Sequence, residues 1–277
     1  MAYEKRRDTM SIKNKRYGKV EYLKADGIKA AHCFTTRLGG VSTGIFESMN
    51  LGMHRGDDPA NVEENYRILG KCIGFTPDDL VLTHQVHSDI VRKVTRADCN
   101  GLDNHAYPEC DALITNDPGV GLVIFTADCT PILLWDEVTG AVGAAHAGWR
   151  GTASGIVKKT VDMMVAEYGC DPANIHAAIG PNIALCCFET DEDVPNALRE
   201  ALGEEVEDCF EKYDGKYHVD LKDANEIWLR RAGVKMRNIE MSISCTACRP
   251  DRYWSHRVTR GERGSQGAVI VCGGKVE

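Results

Sequence analysis

Three short segments concentrate reactive side chains and glycine beyond what packing requires: THQVHSD at 83–89, TADCTP at 126–131 and AAHAGWRGT at 144–152. Each closes an apolar, β-like run, and a strand end can hold a side chain rigidly while leaving it open to a ligand. Together they offer His84, His87, Asp128, Cys129 and His146. Imidazole and thiolate are preferred ligands of zinc, and three protein ligands leave the fourth tetrahedral position to water or substrate. His87, Cys129 and His146 suit such a set. Their separations, 42 residues and then 17, match no short zinc-finger spacing. Three readings therefore stand side by side: a metal triad, a Cys129 nucleophile with His146 as its base, and buried residues without chemistry. His84, taken alone, reads as a structural histidine.

Other segments are weaker. Cys245 and Cys248 form a CxxC, either a dithiol pair or half a zinc site. Its completing partners would be His256 by sequence or Cys186 and Cys187 by folding. Neighbouring side chains on a strand point to opposite faces, so both would rarely meet one ion, and these cysteines are expected to be structural. RLGGVSTG at 37–44 and AGWRGT at 147–152 set Arg37 and Arg150 beside flexible backbone, a combination able to surround a phosphate or carboxylate. The alternative is an ordinary turn with a surface arginine. Neither segment is a P-loop or a GxGxxG fingerprint, so nucleotide triphosphates and dinucleotides have little support.

The elements that must position these residues are mostly short strands: VEYL, AAHCF, LVLTH, IVRKV, DALI, GLVIF, PILLW and AVGAAH. A helix is expected over 59–73, with Asp58 as cap, Pro59 in its first turn, Val62, Tyr66, Leu69 and Ile73 on one face, and Gly74 as its stop. Further helices are expected at 153–168, 191–202 and 221–232, separated by β-like runs at 175–179, 239–244 and 268–271. No linker or repeat divides the pattern. It reads as a mixed α/β fold, sheets flanked by helices, in one domain over 18–277 after a flexible extension at 1–17.

Composition narrows the functional classes. The 277 residues are 43% hydrophobic and 27% charged, as in a globular protein. With 33 Lys and Arg against 41 Asp and Glu, the net charge of −8 gives no general case for binding nucleic acid or anionic lipid. The twelve cysteines are scattered through a chain long enough to build a core, so they are expected to be reduced. The basic N-terminus lacks an apolar stretch behind it, and no run approaches the roughly 20 residues of a membrane span. A cytoplasmic monomer is the expectation.

Seven motifs taken in order resemble one family: TTRLGGVS, FESMNLG, HQVHSD, FTADCTPILL, GAAHAGWRGT, IGPNIALCCFE and CTACRP. They are similar to the bacterial YfiH/YlmD proteins, the "multicopper polyphenol oxidoreductase laccase" family, whose relatives include the human laccase-domain protein FAMIN. The likeness runs from about residue 18 to 270. It implies a single-domain fold of the family's own type, related to the cytotoxic necrotizing factor catalytic domain, with one zinc ion on His87, Cys129 and His146. It further implies phosphorolysis of adenosine, inosine and S-methyl-5'-thioadenosine, with adenosine deamination beside it. Purine nucleosides and phosphate would then be the partners.

Within that expectation Cys129, His146 and Asp128 are the catalytic candidates, Asp128 as acid/base, while Arg37 and Arg150 clamp phosphate and Asn50 meets ribose or base. The family's older name records copper-dependent phenol oxidation. A true multicopper site needs dense pairs such as His-X-His, and none exists among the nine histidines. One His/His/Cys site can still take copper, which outranks zinc in affinity, so a copper-dependent polyphenol oxidase is the alternative, with a metal-independent Cys–His hydrolase behind it. The chain departs from the family at WSHRVTRGERGSQG, where FSYRRDG-x-TGR is usual. His256, Arg257 and Arg260 fall in that stretch.

Overall fold

In the computed structural model, which describes residues 12–275 apart from 104 and 106, the apolar runs become two six-stranded sheets. The first sheet runs β1 (Lys13–Tyr17), β2 (Val20–Lys24), β3 (Ala30–Thr35), β15 (Gln266–Lys275), β7 (Gly121–Thr126) and β4 (Leu80–Leu82), antiparallel except where β4 joins β7. The second runs β14 (Ile239–Met241), β10 (Ile175–Ile179), β8 (Thr130–Asp136), β9 (Val142–Ala147), β6 (Ala112–Thr115) and β5 (Val91–Lys93), with parallel pairs at its two edges. A small antiparallel sheet joins β11 (Glu189–Thr190), β13 (Lys216–Val219) and β12 (Phe210–Tyr213).

The two large sheets bury one face against each other. Phe34, Leu122, Ile124 and Ile270 of the first meet Leu113, Leu133, Val142 and Ala144 of the second. The strands' opposite faces are also covered. Val123 and Val269 pack against Val62, Tyr66 and Leu69 of α1 (Pro59–Ile73). Ile132, Leu134 and Ala145 pack against Ile156, Val157 and Val161 of α3 (Ile156–Tyr168) and Leu229 of α5 (Leu221–Arg231). The layers are thus helix, sheet, sheet, helix. Burial on both faces is why the central strands read as continuous apolar runs, and each fully buried Leu or Ile contributes roughly 1.5–3 kcal/mol.

Helix α1 matches its expectation, with Asp58 accepting from Ala60 N–H and Gly74 left-handed at φ 94°. The helix expected over 153–168 is present but starts later, at Ile156. A short α2 (Trp149–Ala153) precedes α3, because Gly155 turns left-handed at φ 72° and the Thr152 carbonyl is taken by Trp228 Nε1 at 2.7 Å. The Trp228 ring fills the place where a Gly155 side chain would stand. Helix α4 (Asp193–Leu202) and α5 lie where helical periodicity placed them.

The expected flexible extension at 1–17 needs correction. Residues 1–11 lie outside the described residues, but Lys13–Tyr17 pairs antiparallel with β2 as an edge strand. Its side chains are all exposed, so it carries no apolar alternation that pattern reading can detect. Among the described residues, no helix is long and apolar enough to cross a membrane.

Candidate metal centre and its cavity

Strand alternation aims the first ligand. His146 shares a face of β9 with Val142 and Ala144, the face turned to the other sheet, and sits at the strand's end. Antiparallel pairing sets it across from Pro131, and Cys129 directly precedes β8. His87 arrives on the loop after β4 with a left-handed backbone, φ 60°, a strained conformation for a residue with a Cβ. The three ligand atoms lie within 4.8 Å of one another, with Cys129 Sγ 3.8 Å from His87 Nε2. Tetrahedral arms of about 2.3 Å to sulfur and 2.05 Å to nitrogen require an edge of about 3.6 Å, so the group fits one zinc-sized ion. Gly148 keeps the space open: a Cβ there would stand 3.0 Å from His87 Cδ2 and 3.3 Å from Cys129 Sγ.

One carboxylate that sequence reading missed holds this geometry. Asp111, fully buried at the head of β6, accepts from His146 Nδ1 at 2.8 Å. It also accepts from the amides of Val86, His87 and Ser88 at 3.1, 3.0 and 2.7 Å, and from the Ser88 hydroxyl at 2.7 Å. It therefore fixes the His87 loop and the His146 ring together, leaving His146 Nε2 as the ligand atom. Burial would raise the Asp111 carboxyl, but these bonds, His146's foremost, hold it at about 2. Burial opposes charge on Cys129 and His146 as well. Their mutual attraction prevails: the thiol is held down to about 6, and the imidazole is lifted to about 9 with help from Asp111. Without a metal these opposed shifts favour a thiolate beside an imidazolium.

The centre opens into a cavity of about 320 Å³ lined also by His54, His84, His105, Arg55 and Arg263. Arg263 is only 8% exposed. Its Nη1 donates to the Gly264 carbonyl and the Ser265 hydroxyl, and its Nε has no protein partner among the described residues. Burial, then the cation of Arg55, lowers its pKa to about 10 against the opposing pull of Asp128 and Cys129. Opposite in character is a stack of imidazoles, His54 on His105 at 3.9 Å and His105 on His84 at 4.6 Å. His84 is therefore a cavity residue, although its Nδ1 also meets the Tyr107 carbonyl at 3.2 Å.

Several expected site residues lie elsewhere. Asp128 turns at φ 92°, accepts from Thr246 Oγ1 (2.6 Å), Ser255 Oγ (3.0 Å) and Arg257 N–H (2.7 Å), and does not line the cavity. Arg37 donates to the Glu47 and Pro250 carbonyls and lies over the Trp254 ring at 3.8 Å, bracing its own loop outside the cavity. Arg150 is exposed over Trp149 and does not line the cavity. Asn50 is fully buried. Its Oδ1 accepts from Gly52 N–H and Ser265 N–H and its Nδ2 donates to Asp57, so it fastens two cavity-lining backbones without reaching the space itself.

The expectation for Cys186 and Cys187 also changes. They stand in a turn, not a strand, and both reach Cys245 and Cys248, all four sulfurs lying within 4.8 Å. His256 is outside that group. In the departing C-terminal stretch, Arg257 donates to the Cys187 and Glu189 carbonyls, Arg260 turns left-handed at φ 55°, and Arg263 enters the cavity.

The fold and site together define an α/β protein of two large sheets and one small one, with a His/Cys/His centre in a cation-lined cavity. The family model for "Multi-copper polyphenol oxidoreductase laccase" matches residues 31–273, and the chain belongs to that family. It is 41% identical over 249 residues to a protein of Deinococcus radiodurans named "Purine nucleoside phosphorylase", covering 90% of this chain and 91% of that one. It is 40% identical over 240 residues to "Purine nucleoside phosphorylase YlmD" of Geobacillus stearothermophilus, covering 85% and 88%. The crystal structure of YlmD from the same organism superposes with a TM-score of 0.89 at 36% identity, over 97% of this chain and all of that one.

Proposed function

We propose that this protein is a purine nucleoside phosphorylase acting on adenosine, inosine and S-methyl-5'-thioadenosine, with adenosine deamination as a second activity and zinc on His87, Cys129 and His146. The observation that carries the reading is Arg263: a cation only 8% exposed whose hydrogen bonds among the described residues go to neutral groups, lining the same cavity as the His/Cys/His group. A buried guanidinium held only by neutral groups calls for an anion. Arg263 and Arg55 therefore take phosphate, in the place first given to Arg37 and Arg150. The imidazole stack offers the purine a flat face, since bases stack on aromatic rings regardless of their edges. The names of the relatives agree with this pairing of ligands.

In phosphorolysis a phosphate oxygen bonds to C1′ as the bond from C1′ to N9 breaks. That bond's electron pair leaves on the purine, which takes up a proton from a cavity imidazole. The two arginines hold the phosphate for attack and offset its charge. In deamination water replaces the 6-amino group and ammonia departs. His87, Cys129 and His146 would hold a zinc ion, which would supply Lewis acidity and lower the pKa of water when bound. Asp111 orients the His146 imidazole and holds the loop that carries His87, and Asp128 acts as a positioning residue for the loops behind Cys129. The thiolate–imidazolium pair favours one second reading, a metal-independent Cys129 nucleophile with His146 as its acid/base partner.

Chromatography of products after incubating metal-analysed protein with adenosine, with and without phosphate, tests these readings. Adenine that appears only with phosphate supports phosphorolysis, and inosine formed without phosphate supports deamination. Neither product from zinc-loaded protein overturns the nucleoside reading. Turnover that survives chelation but not alkylation favours the second reading. Oxygen uptake with a phenol at stoichiometric copper favours the oxidase. Cys129→Ala is expected to abolish turnover with the fold retained.

A further inference from the structure

The two cysteine motifs left unused by that chemistry meet on the far side of the Asp128 loop. Cys186 and Cys187 come from the turn after β10, and Cys245 and Cys248 from the turn after β14. The Sγ atoms of Cys186, Cys187 and Cys248 are 3.8, 3.6 and 3.3 Å apart in their three pairings, and Cys245 completes a group within 4.8 Å. A tetrahedron with sulfur arms of about 2.3 Å has an edge of about 3.8 Å. A disulfide requires about 2.05 Å and uses only two of the four sulfurs. Cys245 Sγ also accepts the Ala184 amide at 3.4 Å, an N–H bond that favours thiolate.

We propose that Cys186, Cys187, Cys245 and Cys248 form a second, structural zinc site that ties the 182–188 segment to the 245–248 turn. Four thiols there give up four protons to solvent and form four zinc–sulfur bonds, leaving a tetrathiolate of charge −2 with no open position for substrate. All-sulfur tetrahedral ligation selects zinc or iron among common metals, and zinc requires no redox partner. Arg257 stands beside the cluster on the Cys187 and Glu189 carbonyls. It also connects the cluster to the first centre, since its amide and Thr246, within the CxxC turn, both bind Asp128, the neighbour of Cys129. A filled tetrathiolate thus braces the loop that carries a ligand of the other site.

The inference is independent of the nucleoside reading, because its test counts metal. Full-length protein purified under thiol reductant is expected to carry two zinc ions per chain by elemental analysis, and Cys129→Ala one. Adding Cys248→Ser to Cys129→Ala should remove that last ion. Cys186→Ser, at an exposed position, repeats the test where Cys248→Ser fails to fold, with circular dichroism reporting the fold. Cobalt loading of Cys129→Ala should give the intense sulfur-to-metal charge-transfer bands of tetrathiolate ligation, and these should vanish in the double variant. Four results overturn the proposal: no zinc in folded, reduced Cys129→Ala; an intact mass two hydrogens lighter, which marks a disulfide; iron in place of zinc; or zinc that persists in both serine variants.

Discussion

Two sulfur-bearing clusters a loop apart show how similar ligand chemistry is tuned to different ends. The His87, Cys129 and His146 group lines a cavity, mixes nitrogen with sulfur and is gripped by a buried carboxylate. The four-cysteine group has no histidine and is shaped by two turns, with Cys186 and Cys248 exposed. In the first, opposite charges pull the thiol down to about 6. In the second, burial and then the Cys248 and Cys245 sulfurs push Cys186 up to about 11. A centre meant to react needs an open position and a charge already formed, whereas a centre meant to brace needs only a closed shell once metal arrives.

The largest effect that sharpens this contrast is expected at the buried cation that lines the first centre's cavity. Arg263→Ala should lower kcat/KM for phosphate roughly a hundredfold, about 3 kcal/mol, while the zinc count stays the same. Steady-state kinetics with varied phosphate decides it, and an unchanged KM and kcat would remove Arg263 from the anion site.

The carboxylate comes next. Asp111 is held at about 2 against an ordinary 3.8, so its contribution is fully present above pH 3.8 and is lost as pH falls through about 2. Asp111→Asn should therefore melt about 4–8 °C lower at pH 7, for roughly 2 kcal/mol in a chain of this size. The wild-type advantage should fade on acidification from pH 4 to 2. Equal melting of the two proteins across that range would contradict a charged Asp111.

Gly148→Ala tests the geometry of the first centre alone. Its backbone accepts alanine, but the methyl crowds His87 and Cys129, so zinc affinity should fall about tenfold with the melting of metal-free protein unchanged. Competition with a chromophoric chelator measures it. The smallest effect is a ranking of thiols. At pH 7 iodoacetamide should label Cys129 of metal-free protein several-fold faster than Cys186, despite the greater exposure of Cys186, with the rate following an ionisation near pH 6. Peptide mass mapping reads the order, and Cys186 reacting first would break the contrast.

Much of the architecture was legible because its strands are buried on both faces and its helices carry local stops. Asp58, Pro59 and Gly74 mark α1 without any tertiary information. The break at Gly155 was not legible, since it depends on Trp228, 73 residues further on, packing against that glycine. The metal ligands were reachable from residue types at strand ends, strengthened by the motif resemblance. Asp111 and Arg263 were not. One is a carboxylate before an apolar strand and the other an arginine in a polar loop, and only the order of strands in the sheets brings them to His146 and the cavity. Arg37 and Arg150 were chosen for Gly-rich surroundings and Asn50 for an amide that both donates and accepts, and the three stand outside the cavity lining: such signals read the same whether a residue faces a ligand or braces a loop. Cys186 and Cys187 were judged as strand neighbours, and their turn lets adjacent side chains converge.

The edge strand β1 has a further consequence for how the molecule meets its own copies. A sheet edge is an unpaired ladder, and here it is closed by KNKRY, three cations in five exposed positions. Two such borders brought together repel, whereas β2 behind it turns Val20, Tyr22 and Leu23 inward. A chain shortened to start at residue 18 would present β2 as the new border, without the lysines and arginine that keep neighbouring molecules from extending the sheet.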